Sequence, residues 1–172
     1  MAKKTPPSGG WGAIENWFTF ASSEGKFSVL VPAAMDEKVT KTTTAIGELA
    51  YHTFVCQPAE NEADNLLYMV SYCDYPEGTV HSDSTELLAD FFAATVDESV
   101  RSIKGELAYS ADFQWAGLPG KVWRVDYNRG AATLRTKILV SKNRVYTLQT
   151  ACRRAASLND SADRFFDSFK VF

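Results

Sequence analysis

The feature that most constrains the fold is one change of hydrophobic period in the middle of the chain. Residues 83–104 carry apolar side chains at spacings of four and seven, which places them on one face of a helix. These positions are Leu87, Leu88, Phe91, Phe92, Val96, Val100 and Ile103. Asp83 and Glu86 predict a capping box at its start, and Gly105 predicts its end. We therefore expect one long helix here.

Strands are predicted on both sides of this helix. Before it they cover 17–20, 27–31, 38–45, 48–57 and 66–75, and after it 106–115, 120–128, 131–141 and 143–152. Gly25 is expected to supply the positive φ of the first hairpin turn. The segment 66–75 is apolar on both alternating faces, as in a strand covered on both sides.

A short second helix is predicted near the end of the chain. The segment from Ser157 to Asp160 can cap it, and its apolar face consists of Ala162, Phe165, Phe166 and Phe169. Strands, a long helix, strands and a short helix indicate an α+β fold, with an antiparallel sheet flanked by helices. We expect one domain over 17–172 and a flexible tether over 1–16, where two lysines precede no apolar run that could form a signal peptide.

The charge of the chain is distributed unevenly. Residues 1–100 hold 5 Lys and Arg against 15 Asp and Glu, whereas residues 101–172 hold 13 against 6. The fold could pair the two halves, or separate them into an acidic and a basic face. The net charge of −3 and the lack of a recognition motif argue against nucleic acid as a partner. No apolar run reaches the ~18 residues that a transmembrane helix needs.

Basic side chains in the later strands are the candidate site. Lys121, Arg124, Arg135, Lys137 and Arg144 form a possible anion-binding or partner-binding surface. In the strand 131–140, Thr133, Arg135 and Lys137 lie on the face opposite the apolar one. The alternative is a solvated sheet face, or one neutralised by the acidic half.

Other groups of residues are weaker candidates for a functional site. His52 and Cys56 share a strand face but lack the further ligands that a metal site needs. The three cysteines are expected to be buried free thiols. The loop 74–83 contains three carboxylates and an imidazole before the helix. A cleft there could bind a cation or a small molecule, or form the active site of an enzyme. No residue is assigned a catalytic, cofactor-binding or metal-binding role.

The chain also resembles the PsbP-like domain family. The resemblance is carried by segments 17–32 (WFTFASSEGKFSVLVP), 72–76 (YCDYP), 117–120 (GLPG) and 162–169 (ADRFFDSF). This family includes the extrinsic PsbP subunit of the oxygen-evolving complex and Ran-binding Mog proteins. The resemblance implies an α-β-α sandwich, a non-enzymatic role in binding or assembly with an unidentified protein partner, and export or membrane association.

Overall fold

The computed structural model describes residues 16–58 and 64–172, so most of the predicted tether lies outside the described residues. The helices are α1 (Thr85–Ser102) and α2 (Asp160–Ser168). The strands are β1 (Phe18–Ser22), β2 (Phe27–Val31), β3 (Asp36–Thr44), β4 (Gly47–Cys56), β5 (Leu67–Asp74), β6 (Glu106–Trp115), β7 (Leu118–Tyr127), β8 (Ala132–Ser141), β9 (Arg144–Arg153) and β10 (Lys170–Val171).

The strands form two antiparallel sheets. The larger has seven strands in the order β3-β4-β5-β9-β8-β7-β6, and the smaller has the order β1-β2-β10. The antiparallel α+β class is confirmed, with about 52% of the described residues in strands and about 20% in helices. The hairpin of β1 and β2 was predicted, but not its separation from the large sheet or the addition of β10, a two-residue strand that pairs with β2 from the far end of the chain.

Apolar side chains pack on both faces of the large sheet. On one face, Leu139, Tyr146 and Leu148 pack against β2 and α2. On the other face, Ile138, Val140 and Val145 pack against Leu88, Phe92 and Val96 of α1. Successive residues of β8 therefore point to different cores, as the pleat requires. The two helices pack into different cores, on opposite faces of the large sheet.

The ends of α1 differ from the prediction. Ser84, not Asp83, is the N-cap, and its Oγ accepts from the Leu87 N–H at 3.4 Å. Asp83 belongs to the preceding turn, where its N–H donates to His81 Nδ1 at 3.2 Å. At the other end Lys104 takes the positive φ of 51°. Gly105 is needed because a Cβ there would overlap Val125.

The first hairpin turn also corrects the role given to Gly25. The positive φ of 58° belongs to Lys26. Gly25 is required for space, because a Cβ there would lie 2.7 Å from a ring carbon of Tyr72. Its carbonyl accepts from Tyr146 Oη at 2.7 Å, which holds the turn against the large sheet.

The predicted core is mostly confirmed. Phe165 and Phe169 are fully buried, and Leu88 and Phe92 are almost so. Leu87 and Phe91 are only partly buried, because the apolar stripe of α1 is wider than the strip that touches the sheet. The cap of α2 falls within the predicted segment, since Asn159 Oδ1 accepts from the Ala162 N–H at 2.7 Å. Within the described ranges, no helix is long and apolar enough to cross a membrane.

Candidate functional site

Two of the five candidate basic residues lie side by side. In the antiparallel register of β7 and β8, Arg124 is directly opposite Arg135. Arg135 and Leu139 are four residues apart on β8, so they point to the same face of the sheet. Leu139 packs in the core that α2 partly covers, and both arginines therefore lie on that face. Thr133, Arg135 and Lys137 therefore share the face opposite Ile138, as the alternation predicts.

Each of these arginines is held by a carboxylate. Arg124 donates from Nε and Nη2 to Asp126 at 3.0 and 3.2 Å. Arg135 donates from Nη1 to Asp163 of α2 at 3.1 Å. Its guanidinium carbon also lies 5.2 Å from the centre of the Phe166 ring. Like charges directly opposite one another destabilise a sheet, so these two aspartates compensate an arrangement that the fold alone would not favour.

Lys137 lies two residues after Arg135 on the same face of β8, but aromatic rings surround its ammonium group. Its Nζ is 4.9 Å from the centre of the Phe113 ring, 5.2 Å from Trp115 and 5.8 Å from Phe166. Burial lowers the pKa of its ammonium group. Cation–π contacts of this kind stabilise a partly desolvated ammonium group. Lys137 therefore connects β6 to α2 and is not presented to an anion in solution.

Lys121 and Arg144 lie elsewhere. Lys121 is opposite Ile138, on the α1 face, and its Nζ is 3.0 Å from Asp112. Arg144 is at the far end of the sheet, where Nε and Nη2 donate to Asp74 at 2.6 and 2.8 Å. These bonds lower the pKa of Asp74. The structure thus does not unite the five candidates into one surface; it places Arg124 opposite Arg135, with Lys137 enclosed beside them on the same face.

Side chains of β6 complete the surface around these two arginines. Tyr109 is opposite Arg124, and Ala111 is opposite Val122. Tyr109 is 42% exposed, and Ala111 is also exposed. We call the group Tyr109, Ala111, Val122, Arg124 and Arg135 the arginine face. Sequence reasoning missed Tyr109 and Ala111, although their alternate spacing in a predicted strand was a signal that they share a face.

The arginine face includes side chains of an edge strand. β6 is the last strand of the large sheet, and across the described ranges it pairs only with β7. A register shift between Leu107 and Tyr109 interrupts this pairing. An outer strand leaves backbone N–H and C=O groups available to another strand, and such irregularities are one of the means by which proteins limit that pairing.

The ion pairs show how the uneven charge is resolved. Among the described residues, Lys and Arg pair with carboxylates mainly inside their own half of the chain, as in Lys41–Glu48 and Lys121–Asp112. The pairs that join the two halves are Arg144–Asp74 and the adjacent Arg101–Glu98. Contacts between the two halves of the chain therefore neutralise only a small part of the uneven charge.

A groove of about 510 Å³ lies between α1 and the large sheet. Tyr75, from the predicted loop 74–83, lines one end, and its Oη is 3.3 Å from Tyr51 Oη. Burial raises the pKa of Tyr75 far above its usual value, so its hydroxyl stays neutral. On the floor, Gln149 Nε2 donates to Thr136 Oγ1 at 3.1 Å. The groove reaches the loop 74–83 only through Tyr75.

The loop and the cysteines provide little reactive chemistry. Asp74 is bound by Arg144, and His81 accepts from the Asp83 backbone. Nowhere in 16–58 or 64–172 do three His, Cys, Asp or Glu side chains come close enough to hold a metal ion. All three cysteines are buried free thiols, and burial raises the pKa of Cys73 to about 11. Its thiol is therefore protonated and unreactive at neutral pH.

Comparison with known proteins gives one informative likeness. No protein-family model and no curated protein sequence matches the chain. The solution structure of cyanobacterial PsbP from Synechocystis superposes with a TM-score of 0.58 at 13% identity, covering 97% of this chain and 99% of that one. A Pseudomonas aeruginosa protein of unknown function gives a TM-score of 0.43 at 13% identity, covering 82% of this chain and 85% of that one. The chain has a PsbP-like fold, and that part of the resemblance is confirmed.

Proposed function

We propose that this protein is a non-enzymatic binding module that engages a protein partner through the arginine face. The observation that carries the proposal is the direct opposition of Arg124 and Arg135 next to exposed Tyr109. Arginine and tyrosine are enriched where protein interfaces concentrate their binding energy. The buried thiols and the occupied carboxylate of Asp74 support a role without catalysis.

The hydrogen bonding of the two arginines supports a partner that carries acceptor groups. Arg124 uses Nε and Nη2 for Asp126, and Arg135 uses Nη1 for Asp163. Arg135 Nε is buried and has no acceptor among the described residues. A buried donor without a partner costs free energy. Arg135 is therefore not optimised for the fold alone, and its Nη2, which makes no hydrogen bond to the described residues, suits a carboxylate or carbonyl group of a partner.

The apolar part of the face supports a protein as this partner. Tyr109, Ala111 and Val122 form a continuous area between the arginines and the outer edge of β6. An area of this composition resembles the apolar centre and polar rim of a protein interface. A strand of the partner could also pair with the backbone of β6.

A photocrosslinking experiment tests this proposal in the source cell. A photoreactive amino acid at Tyr109 is expected to crosslink one recurrent protein, and adding Arg124→Gln and Arg135→Gln to the same chain should abolish that product. The matched control places the photoreactive residue at Val39, which is 48% exposed on β3, the other outer strand. If position 39 yields the same product, or if the glutamine substitutions leave the product unchanged, the arginine face is not the binding surface.

A further inference from the structure

The groove beneath α1 is separate from the arginine face. Trp123, Ile138 and Val125 face α1, whereas Arg124 and Arg135 lie on the other side of the sheet. One wall of the groove is α1, and the floor consists of side chains from β7, β8 and β9. A space between a helix and a sheet is a slot, so it suits a flat molecule better than a bulky one.

The size and the walls of the groove suit a small aromatic molecule. Its volume of about 510 Å³ lies within the range of pockets that hold small ligands, roughly 300–1,000 Å³. At one end the rings of Tyr75 and Phe91 are 5.1 Å apart and meet edge to face at 79°. Aromatic rings prefer to receive another ring in offset or edge-to-face geometry. The groove therefore has the volume for a ring system and has rings to pack against it.

The polar groups of the groove lie together on the floor. Gln149 donates to Thr136, and no hydrogen bond from the described residues reaches the carbonyl oxygen of Gln149. Thr147 lies two residues before Gln149, on the same face of β9, and also lines the groove. These groups offer acceptors and hydroxyl donors to one edge of a ligand.

Among the described residues, the groove has no unpaired charge to offer an ionic ligand. Glu98 is its charged lining residue, and that carboxylate is 3.1 Å from Arg101. The hydroxyl of Tyr75, which lies 3.3 Å from that of Tyr51, stays neutral. A charged ligand would lose its hydration without gaining an opposite charge, which is costly. The lining therefore selects for an uncharged molecule.

We propose that the groove between α1 and the large sheet binds a small, uncharged aromatic molecule that carries a hydrogen-bonding group on one edge. The ring system packs against Phe91 and Tyr75. The hydrogen-bonding edge faces Gln149 and Thr136. This site does not depend on the arginine face, so either can fail without the other.

Two fluorescent probes that differ by one charged group provide the test. Neutral phenylnaphthylamine is expected to bind saturably at one site per chain. Anilinonaphthalene sulfonate, the same ring system with an anionic group, is expected to bind at least about tenfold more weakly, the effect of about 1.4 kcal/mol. Equal affinity of the two probes, or binding of the neutral probe without saturation, overturns the proposal.

Adjacent alanines of α1 give a matched pair of variants. Ala94 lines the groove and Ala93 does not, and both are exposed. Ala94→Phe fills the slot and is expected to weaken binding of the neutral probe by at least about tenfold, whereas Ala93→Phe leaves the affinity unchanged. If both variants bind as the wild type does, the probe does not occupy this groove.

A third variant tests the polar edge. Gln149→Leu is expected to weaken binding of phenylnaphthylamine, which has an N–H group, by about tenfold, and to leave binding of naphthalene unchanged. Equal losses for both compounds would show that the substitution alters the shape of the slot, and would contradict the assigned role of Gln149. Probe binding that requires a dimer of the chain would also overturn the proposal, because it would make a second copy part of the site.

Discussion

The two faces of the large sheet are built from alternate residues of the same strands, yet they are closed in different ways. The face toward β2 and α2 is sealed by aromatic rings, among them Phe27, Phe54 and Tyr146. The other face carries α1 over β7 and β8, while Val55 and Met69 of β4 and β5 remain partly exposed. The first face is thus closed by aromatic packing except at the arginine face beside β6, and the other combines a core with an open groove.

The two faces differ because different elements pack against them. The sealed face is covered by the small sheet and α2, which bring Phe27 and Phe169 into stacked contact 5.6 Å apart. The other face receives a single helix about 10 Å wide. One helix cannot cover seven strands that lie roughly 4.8 Å apart. An uncovered strip of sheet beside α1 is therefore a geometric consequence of the topology, and it leaves room for a ligand.

The most demanding test of this comparison is Phe27→Ala on the sealed face. Phe27 is fully buried, and its ring meets Phe54, Tyr146 and Phe169. We expect the free energy of unfolding to fall by about 3–5 kcal/mol, measured by urea denaturation. Phe18→Ala is the control, because Phe18 is 45% exposed and should lose less than about 1 kcal/mol. Similar losses for both would contradict a sealed aromatic core.

On the α1 face, Leu88→Ala is expected to have a smaller effect. Leu88 is 8% exposed and lines a second open space, separate from the groove, between the start of α1 and the hairpin of β6 and β7. The side chains there can relax into the space, so we expect a loss of about 2–3 kcal/mol, the lower part of the range for buried leucines. Leu87→Ala, at the partly buried neighbour, should lose about 1 kcal/mol or less in the same measurement. A larger loss for Leu88→Ala than for Phe27→Ala would invert the comparison.

Much of this architecture could be predicted because it is encoded locally. The period of Leu88, Phe92 and Val96 fixes α1, and the strands after it match the prediction within about two residues. The addition of β10 to the small sheet could not be predicted, since β10 is too short to show a period and pairs across the whole chain. The sequence showed that the later strands are basic, but not which arginines meet. That depends on the register of β7 against β8, which places Arg124 opposite Arg135 and Lys121 on the other face.

The ion pair at the end of the sealed face should contribute little to stability. The Arg144 guanidinium lowers the pKa of Asp74, so the pair stabilises the fold above the usual carboxyl pKa of about 4 and loses this contribution as the pH falls. The Asp74 side chain is 52% exposed, and solvent screening limits the effect to about 1 kcal/mol or less. Asp74→Asn should therefore be slightly less stable than the wild type at pH 7, and the two chains should converge as the pH falls below 4. A difference that persists at low pH would mean that the amide disturbs packing around Tyr72.

Lys137 offers the finest test, because it is a cation enclosed on the sealed face. Burial among Phe113, Trp115 and Phe166 lowers its pKa, so the folded protein gives up this proton at a lower pH than the unfolded chain. The unfolded state then binds more protons in that interval, and stability rises as the pH approaches the usual lysine value of about 10.4. Lys137→Met keeps the length of the side chain and removes the charge. It should be as stable as the wild type or more so at pH 7, and its stability should lack this rise below about pH 10.4. Lys170→Met, at an exposed position, should keep the rise. If Lys137→Met is clearly less stable at pH 7, the cation–π contacts outweigh the desolvation of the ammonium group, and the sealed face accommodates charge better than its aromatic packing indicates.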